Sequence, residues 1–89
     1  MYSVRLLKGA SRELNRLDKP TATRVVRRLR WLSDHVDSVQ HEALKGSLSG
    51  LYKLREGDYR IVYELLRDER TIIVHLIGHR REMYRRQGN

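Results

Sequence analysis

The sequence predicts an α+β fold in which a two-helix layer packs on a small, mainly antiparallel four-stranded sheet, with the element order β-α-α-β-β-β. Three observations lead there. Ala22, Val25, Val26, Leu29, Leu32 and Val36 recur at helical spacing while Arg24, Arg27, Arg28 and Arg30 fall largely on the other side, the pattern of a long amphipathic helix. Strand-like runs over residues 51–55, 59–66 and 71–77 follow one another across short polar breaks, so hairpin connections are expected. The last of them, Ile72-Ile73-Val74-His75-Leu76-Ile77, is apolar on both sides and predicts a central strand covered on both faces.

At the start of the chain, Tyr2, Val4 and Leu6 alternate with polar neighbours, so residues 2–7 are expected to form a short strand that Gly9 ends. Ser11 then offers a cap for a short helix carrying Ala10, Leu14 and Leu17. Asp18 offers a second cap just ahead of Pro20, whose fixed φ suits a first helical turn, and the long helix should run from about Lys19 to about Asp37. Periodicity disappears over residues 38–50, where Gly46, Ser47, Ser49 and Gly50 gather. That stretch reads as a connecting loop.

With 89 residues the chain has too little apolar surface for two cores, so residues 1–89 are expected to form a single domain. Nineteen Lys and Arg against eleven Asp and Glu give a formal charge of +8, a field that attracts polyanions. Nucleic acid, an anionic membrane or an acidic protein would each answer it. Membrane insertion has the least support, since no apolar run approaches the ~20 residues a spanning helix needs. The chain has no cysteine, which excludes disulfides and thiolate metal sites and agrees with a reducing compartment; a cytoplasmic location is expected.

Candidate chemistry concentrates in the C-terminal half. If Glu56-Gly57 forms a two-residue turn, Tyr52 faces Ile61, Leu54 faces Tyr59, and Lys53 faces Arg60 with Arg55 diagonally beside them. Three cations then share one sheet face, a repulsion that either solvent exposure or a bound phosphodiester would relieve. The terminal run from Gly78 to Arg86 is dense in Arg around Tyr84. It is either a solvated terminus or a place where a base stacks while neighbouring arginines hold phosphates. His35 and His41 lie in polar, loop-like sequence and are read as surface residues. His75 is read as a strand residue with a hydrogen-bond partner, His79 as a residue able to join the Arg80 site, and Trp31 as a cover for the rim of the core. No Ser-His-Asp set, Gly-rich phosphate loop or paired metal-spaced histidines appear, so acyl transfer, nucleotide hydrolysis and zinc chemistry lack support.

Leu44-Lys45-Gly46, the run from Tyr52 to Tyr63 and the run from Gly78 to Tyr84, in that order and spacing, resemble the RelE/ParE superfamily of toxins, on its RelE side. The resemblance spans nearly the whole chain. It implies the toxin of a type II toxin–antitoxin system, a ribosome-dependent endoribonuclease that cuts mRNA by metal-independent attack of the 2′-hydroxyl on the adjacent phosphate. It needs no cofactor and is silenced by a cognate RelB-type antitoxin. Carried over by position, the catalytic residues would be Lys53, Arg55, Arg60, Arg80 and Tyr84; apart from the resemblance, His79 is an alternative base, since a free imidazole suits that role better than a free phenol. Arg81 and Arg85 would bind RNA, and the basic exterior of Arg24, Arg27 and Arg28 would meet the ribosome. Arg55 stands where the best-known member has lysine, and the interval from Gly78 to Tyr84 is shorter than in that member. The rival implication is a ParE-type toxin that inhibits DNA gyrase by protein contact without cutting RNA.

Overall fold

The computed structural model describes residues 1–82. β1 (Ser3–Leu6) leads directly into α1 (Lys8–Arg16), then α2 (Lys19–His35), β2 (Glu42–Ala43), β3 (Tyr52–Glu56), β4 (Tyr59–Leu66) and β5 (Thr71–His79). The sheet order is β1-β5-β4-β3-β2, with β1 parallel to β5 and the remaining pairs antiparallel. The α+β architecture and the interior place of β5 match the sequence expectation, but helices cover only one face of that strand, and the sheet has five strands. The extra one, β2, arises inside the predicted loop, where Glu42 pairs with Lys53 and Ala43 with Tyr52.

Asp18 caps α2 as expected: its carboxylate accepts from the Thr21 backbone N–H at 3.2 Å and the Thr21 hydroxyl at 2.7 Å, with Pro20 in the first turn. These bonds hold the Asp18 carboxyl below its ordinary pKa, because they favour the charged form. The first helix departs from expectation. It begins at Lys8 and takes Gly9 inside, with Leu7 rather than Ser11 at the cap position and no side-chain cap; the Ser11 N–H instead reaches the Leu7 carbonyl, so the strand passes into the helix with no intervening turn.

Ala10, Val25, Leu29, Leu32 and Val36 from the helical segment pack with Tyr2, Leu54, Ile61, Tyr63, Ile72, Val74 and Ile77 from the strands. Both helices therefore cover the same face of the sheet. Val74 and Ile77 are three residues apart, and strict alternation would send them to opposite faces. A bulge resolves this: Val62 pairs with Leu76 and Tyr63 with Val74, which leaves His75 without a partner in the ladder and returns both apolar residues to the core. Trp31 packs partly buried at the rim, as expected.

His41 is half-buried and bonded on both ring nitrogens, where a free surface residue was expected. Its Nε2 donates to the Val36 carbonyl at 2.8 Å, and its Nδ1 lies 2.6 Å from the Tyr63 hydroxyl. Since a carbonyl only accepts, the proton sits on Nε2 and Tyr63 donates to Nδ1. The bridge ties the segment after α2 to the middle of β4. Burial pushes the Tyr63 hydroxyl up to about 12.

Candidate phosphate-binding face

The β3–β4 turn is Gly57-Asp58, not Glu56-Gly57: Arg55 faces Arg60, Lys53 faces Val62, Leu54 faces Ile61 and Tyr52 faces Tyr63. Gly57 takes φ +58°, the positive value required at the first central position of a II′-type hairpin turn. The expected opposition of Lys53 and Arg60 is thus replaced by one between Arg55 and Arg60. A register change of this size preserves the alternation, so Lys53, Arg55 and Arg60 still share one face, the one opposite α1 and α2.

Each cation is held differently. Arg55 is exposed. Lys53 is mostly covered, its Nζ 3.2 Å from Glu42 Oε2, and the same oxygen lies 3.6 Å from Arg55 Nη2. Hydrogen bonding to Lys53 is the main cause that holds the Glu42 carboxyl below its ordinary pKa; burial, the next largest effect, opposes it, and the charges of Lys53 and Arg55 then add to the lowering. Sequence reasoning missed this carboxylate because a two-residue strand carries no periodic signal.

Arg60 is only 7% exposed. Its Nη1 donates to the carbonyls of Gly57 and Tyr59 at 2.8 and 2.9 Å, and it pairs across the sheet with Gly78, which has no side chain to compete for the space. The guanidinium thereby fastens the turn that carries Arg55. Its Nε is buried with no hydrogen-bond partner among the described residues, an arrangement that costs free energy unless an acceptor arrives. Arg80 is exposed and lies at the same end of the sheet, its backbone N–H donating to the Asp58 carbonyl at 2.8 Å.

His79 pairs with Tyr59, meets its ring edge-on at 5.5 Å between centroids, and lines a cavity of about 560 Å³ with Glu13, Arg16 and Glu82. That cavity lies against α1, so His79 faces away from Lys53 and Arg55. Its Nδ1 accepts from the Arg81 N–H at 3.2 Å. The predicted residues Tyr84 and Arg85 lie outside the described residues. Arg24, Arg27 and Arg28 line a shallow cavity of about 300 Å³ with Trp31 and Glu56. Arg28 ties this groove, which lies on the helix side of the sheet, to the backbone of β3: its Nε donates to the Arg55 carbonyl at 3.3 Å, and its guanidinium lies 4.3 Å from the Trp31 ring centroid. Among the described residues, no three or more His, Asp and Glu side chains gather as metal ligands, and no helix is long and apolar enough to cross a membrane.

A five-stranded sheet with helices on one face and clustered cations on the other defines a small basic protein suited to polyanionic ligands. A family model described as the ParE toxin of the type II toxin–antitoxin system, parDE, matches residues 4–84. The chain belongs to this family, within the RelE/ParE superfamily of type II toxin–antitoxin toxins. Among solved structures it is similar to a RelBE toxin–antitoxin complex of Mycobacterium tuberculosis, with 28% identity over 88% of this chain and 96% of that one and a TM-score of 0.78. It is also similar to an archaeal RelE–RelB complex from Pyrococcus horikoshii, with 26% identity over 89% and 94% of the two chains and a TM-score of 0.70. The isolated E. coli RelE toxin shares the fold at 18% identity, covering 97% of this chain and 98% of that one, with a TM-score of 0.75. No curated protein matches the sequence.

Proposed function

We propose that this toxin is a ribosome-dependent endoribonuclease, a single-domain protein of the cytoplasm that cleaves mRNA through metal-independent attack of a 2′-hydroxyl on the adjacent phosphate. The observation that carries the reading is the convergence of Lys53, Arg55 and Arg60 on one sheet face with Arg80 tied to the turn of the same hairpin. Negative charge builds on the phosphorane during attack, and preorganised cations aimed at it supply the dominant stabilisation. In this reading Lys53, Arg55 and Arg80 meet the phosphate. Arg60 contributes by fixing the hairpin and by offering the unpartnered Nε. Tyr84 stacks on a base or accepts the proton, while Arg81, Arg85 and the Arg24, Arg27, Arg28 groove hold RNA, the ribosome supplying the alignment that so open a site lacks.

The complexes from M. tuberculosis and P. horikoshii support a RelB-type antitoxin as the neutralising partner. Such a partner would cover apolar surface beside the two helices or mask the cations. The parDE description of the matching family favours a second reading, inhibition of DNA gyrase by protein contact. Inducing the toxin with and without Arg80→Ala and mapping transcript 5′ ends separates the two. Codon-phased cuts that need Arg80 support the nuclease; intact transcripts with damaged chromosomes overturn it in favour of gyrase.

A further inference from the structure

We propose that His75, oriented by Glu64, is the base that takes the proton from the attacking 2′-hydroxyl, an assignment that rests on the nuclease reading above. The β5 bulge takes His75 out of the ladder, and bulges commonly re-aim a side chain beside a site of chemistry. The face it reaches is set by its partner: its Nε2 lies 2.9 Å from Glu64 Oε1, and Glu64 alternates with the core residue Tyr63. His75 therefore stands on the same face as Lys53, Arg55 and Arg60.

The pair has the polarity a base requires. A carboxylate can only accept, so Nε2 carries the proton and the Nδ1 lone pair is left for substrate. Both side chains remain accessible, 29% for His75 and 38% for Glu64. His79 does not meet these conditions, since it faces α1 and its Nδ1 already accepts from the Arg81 N–H.

The sheet register also sets the surroundings. Lys53, Val62 and Leu76 form one cross-strand row, so Leu76, the neighbour of His75, lies two strand spacings, about 10 Å, from Lys53. Arg5 pairs with Ile73 on the other side. The charged groups facing His75 are thus Glu64 on β4, Arg5 on β1 and, one strand beyond Glu64, Lys53 on β3. RNA crossing the face would meet a cation on either side of the imidazole.

In the step, Nδ1 takes the 2′-hydroxyl proton as the O2′–P bond forms, and the P–O5′ bond breaks with its electron pair going to O5′. A water molecule protonates O5′, and the resulting hydroxide takes the proton from the imidazolium, restoring the neutral ring. Glu64 stays ionised and stabilises the imidazolium between the two transfers. The products are a 2′,3′-cyclic phosphate and a 5′-hydroxyl end.

The test is single-turnover cleavage of ribosome-bound mRNA by the full chain. His75→Ala should slow cleavage by about 10²- to 10³-fold, within the range of general base catalysis, and remove the acid limb of the pH–rate profile. Added imidazoles should restore the rate in order of their basicity. His75→Gln, which keeps a polar side chain in the bulge, serves should the alanine variant not fold. The proposal is overturned by a His75 variant that cuts at the wild-type rate, or by a slow one with an unaltered pH profile and no imidazole rescue. A wild-type protein that leaves ribosome-bound mRNA intact defeats the nuclease reading itself, and His75's role with it.

Discussion

Glu42 Oε2 lies between two cations, 3.2 Å from Lys53 Nζ and 3.6 Å from Arg55 Nη2, so the cation face carries its own counter-anion. A phosphate approaching Lys53 competes with this carboxylate. Glu42→Gln should therefore tighten RNA binding and steepen its salt dependence. For single-stranded RNA, one or two more phosphate contacts add about 0.7 to 1.4 to the slope of log K against log salt. Filter binding across a salt series checks this, and an unchanged slope would show that Glu42 does not compete.

The same ion pair has a pH signature. The folded-state pKa of Glu42 is depressed, so any stability it contributes is present above its unfolded value, about 4.3, and is lost as pH falls through the folded value. The difference in melting temperature between wild type and Glu42→Gln should vanish in that acid range. As the carboxylate is half exposed, the difference at neutral pH should be small.

Lys53 and Arg60 should separate chemistry from folding. Lys53→Ala is expected to lower single-turnover cleavage by about 10²- to 10³-fold, the cost of one preorganised charge donor, with little change in urea denaturation. Arg60→Ala should lower cleavage and also destabilise the protein by about 1–3 kcal/mol, because the Gly57 and Tyr59 carbonyls lose a charged donor in a buried setting. Equal stability losses in the two variants would refute the division.

Gly57 is held at φ +58°, and among the described residues nothing beyond its chain neighbours comes within 4 Å of where a Cβ would lie, so its requirement comes from the backbone alone. Gly57→Ala should cost about 1–3 kcal/mol, the cost of holding an L-residue in a sparsely populated backbone region, and Gly57→Asn should cost less. Denaturation midpoints of the two variants give the comparison; a neutral alanine would mean that the turn relaxes to another type.

The Tyr63–His41 bridge gives a prediction at alkaline pH. Tyr63 titrates at about 12 when folded against about 10 when unfolded. Its stabilising contribution is thus complete below pH 10 and is lost as pH rises through the folded value. Tyr63→Phe should cost about 1–3 kcal/mol at neutral pH by leaving His41 Nδ1 unpaired, and should lose less stability than wild type between pH 10 and 12. Parallel urea curves in the two proteins would count against the bridge.

The sequence by itself determined the elements whose signal is repetitive or local. The apolar stripe of α2 and the Asp18 cap fix that helix whatever surrounds it, and the alternation in residues 51–66 puts Lys53, Arg55 and Arg60 on one face in either hairpin register. Only the tertiary structure decided what depends on neighbours distant in the chain. The two registers satisfy the apolar pattern equally, so the choice fell to the backbone of Gly57. β2 exists because β3 offers Glu42 and Ala43 an edge to pair with, and that pairing places a carboxylate among the cations. The polar spacing of His41 gave no hint that it closes onto Tyr63, and the apolar run of β5 gave none of the bulge that turns His75 toward Glu64. Periodicity records which face a residue needs, whereas partners, bulges and ion pairs are set by which strands come to lie side by side.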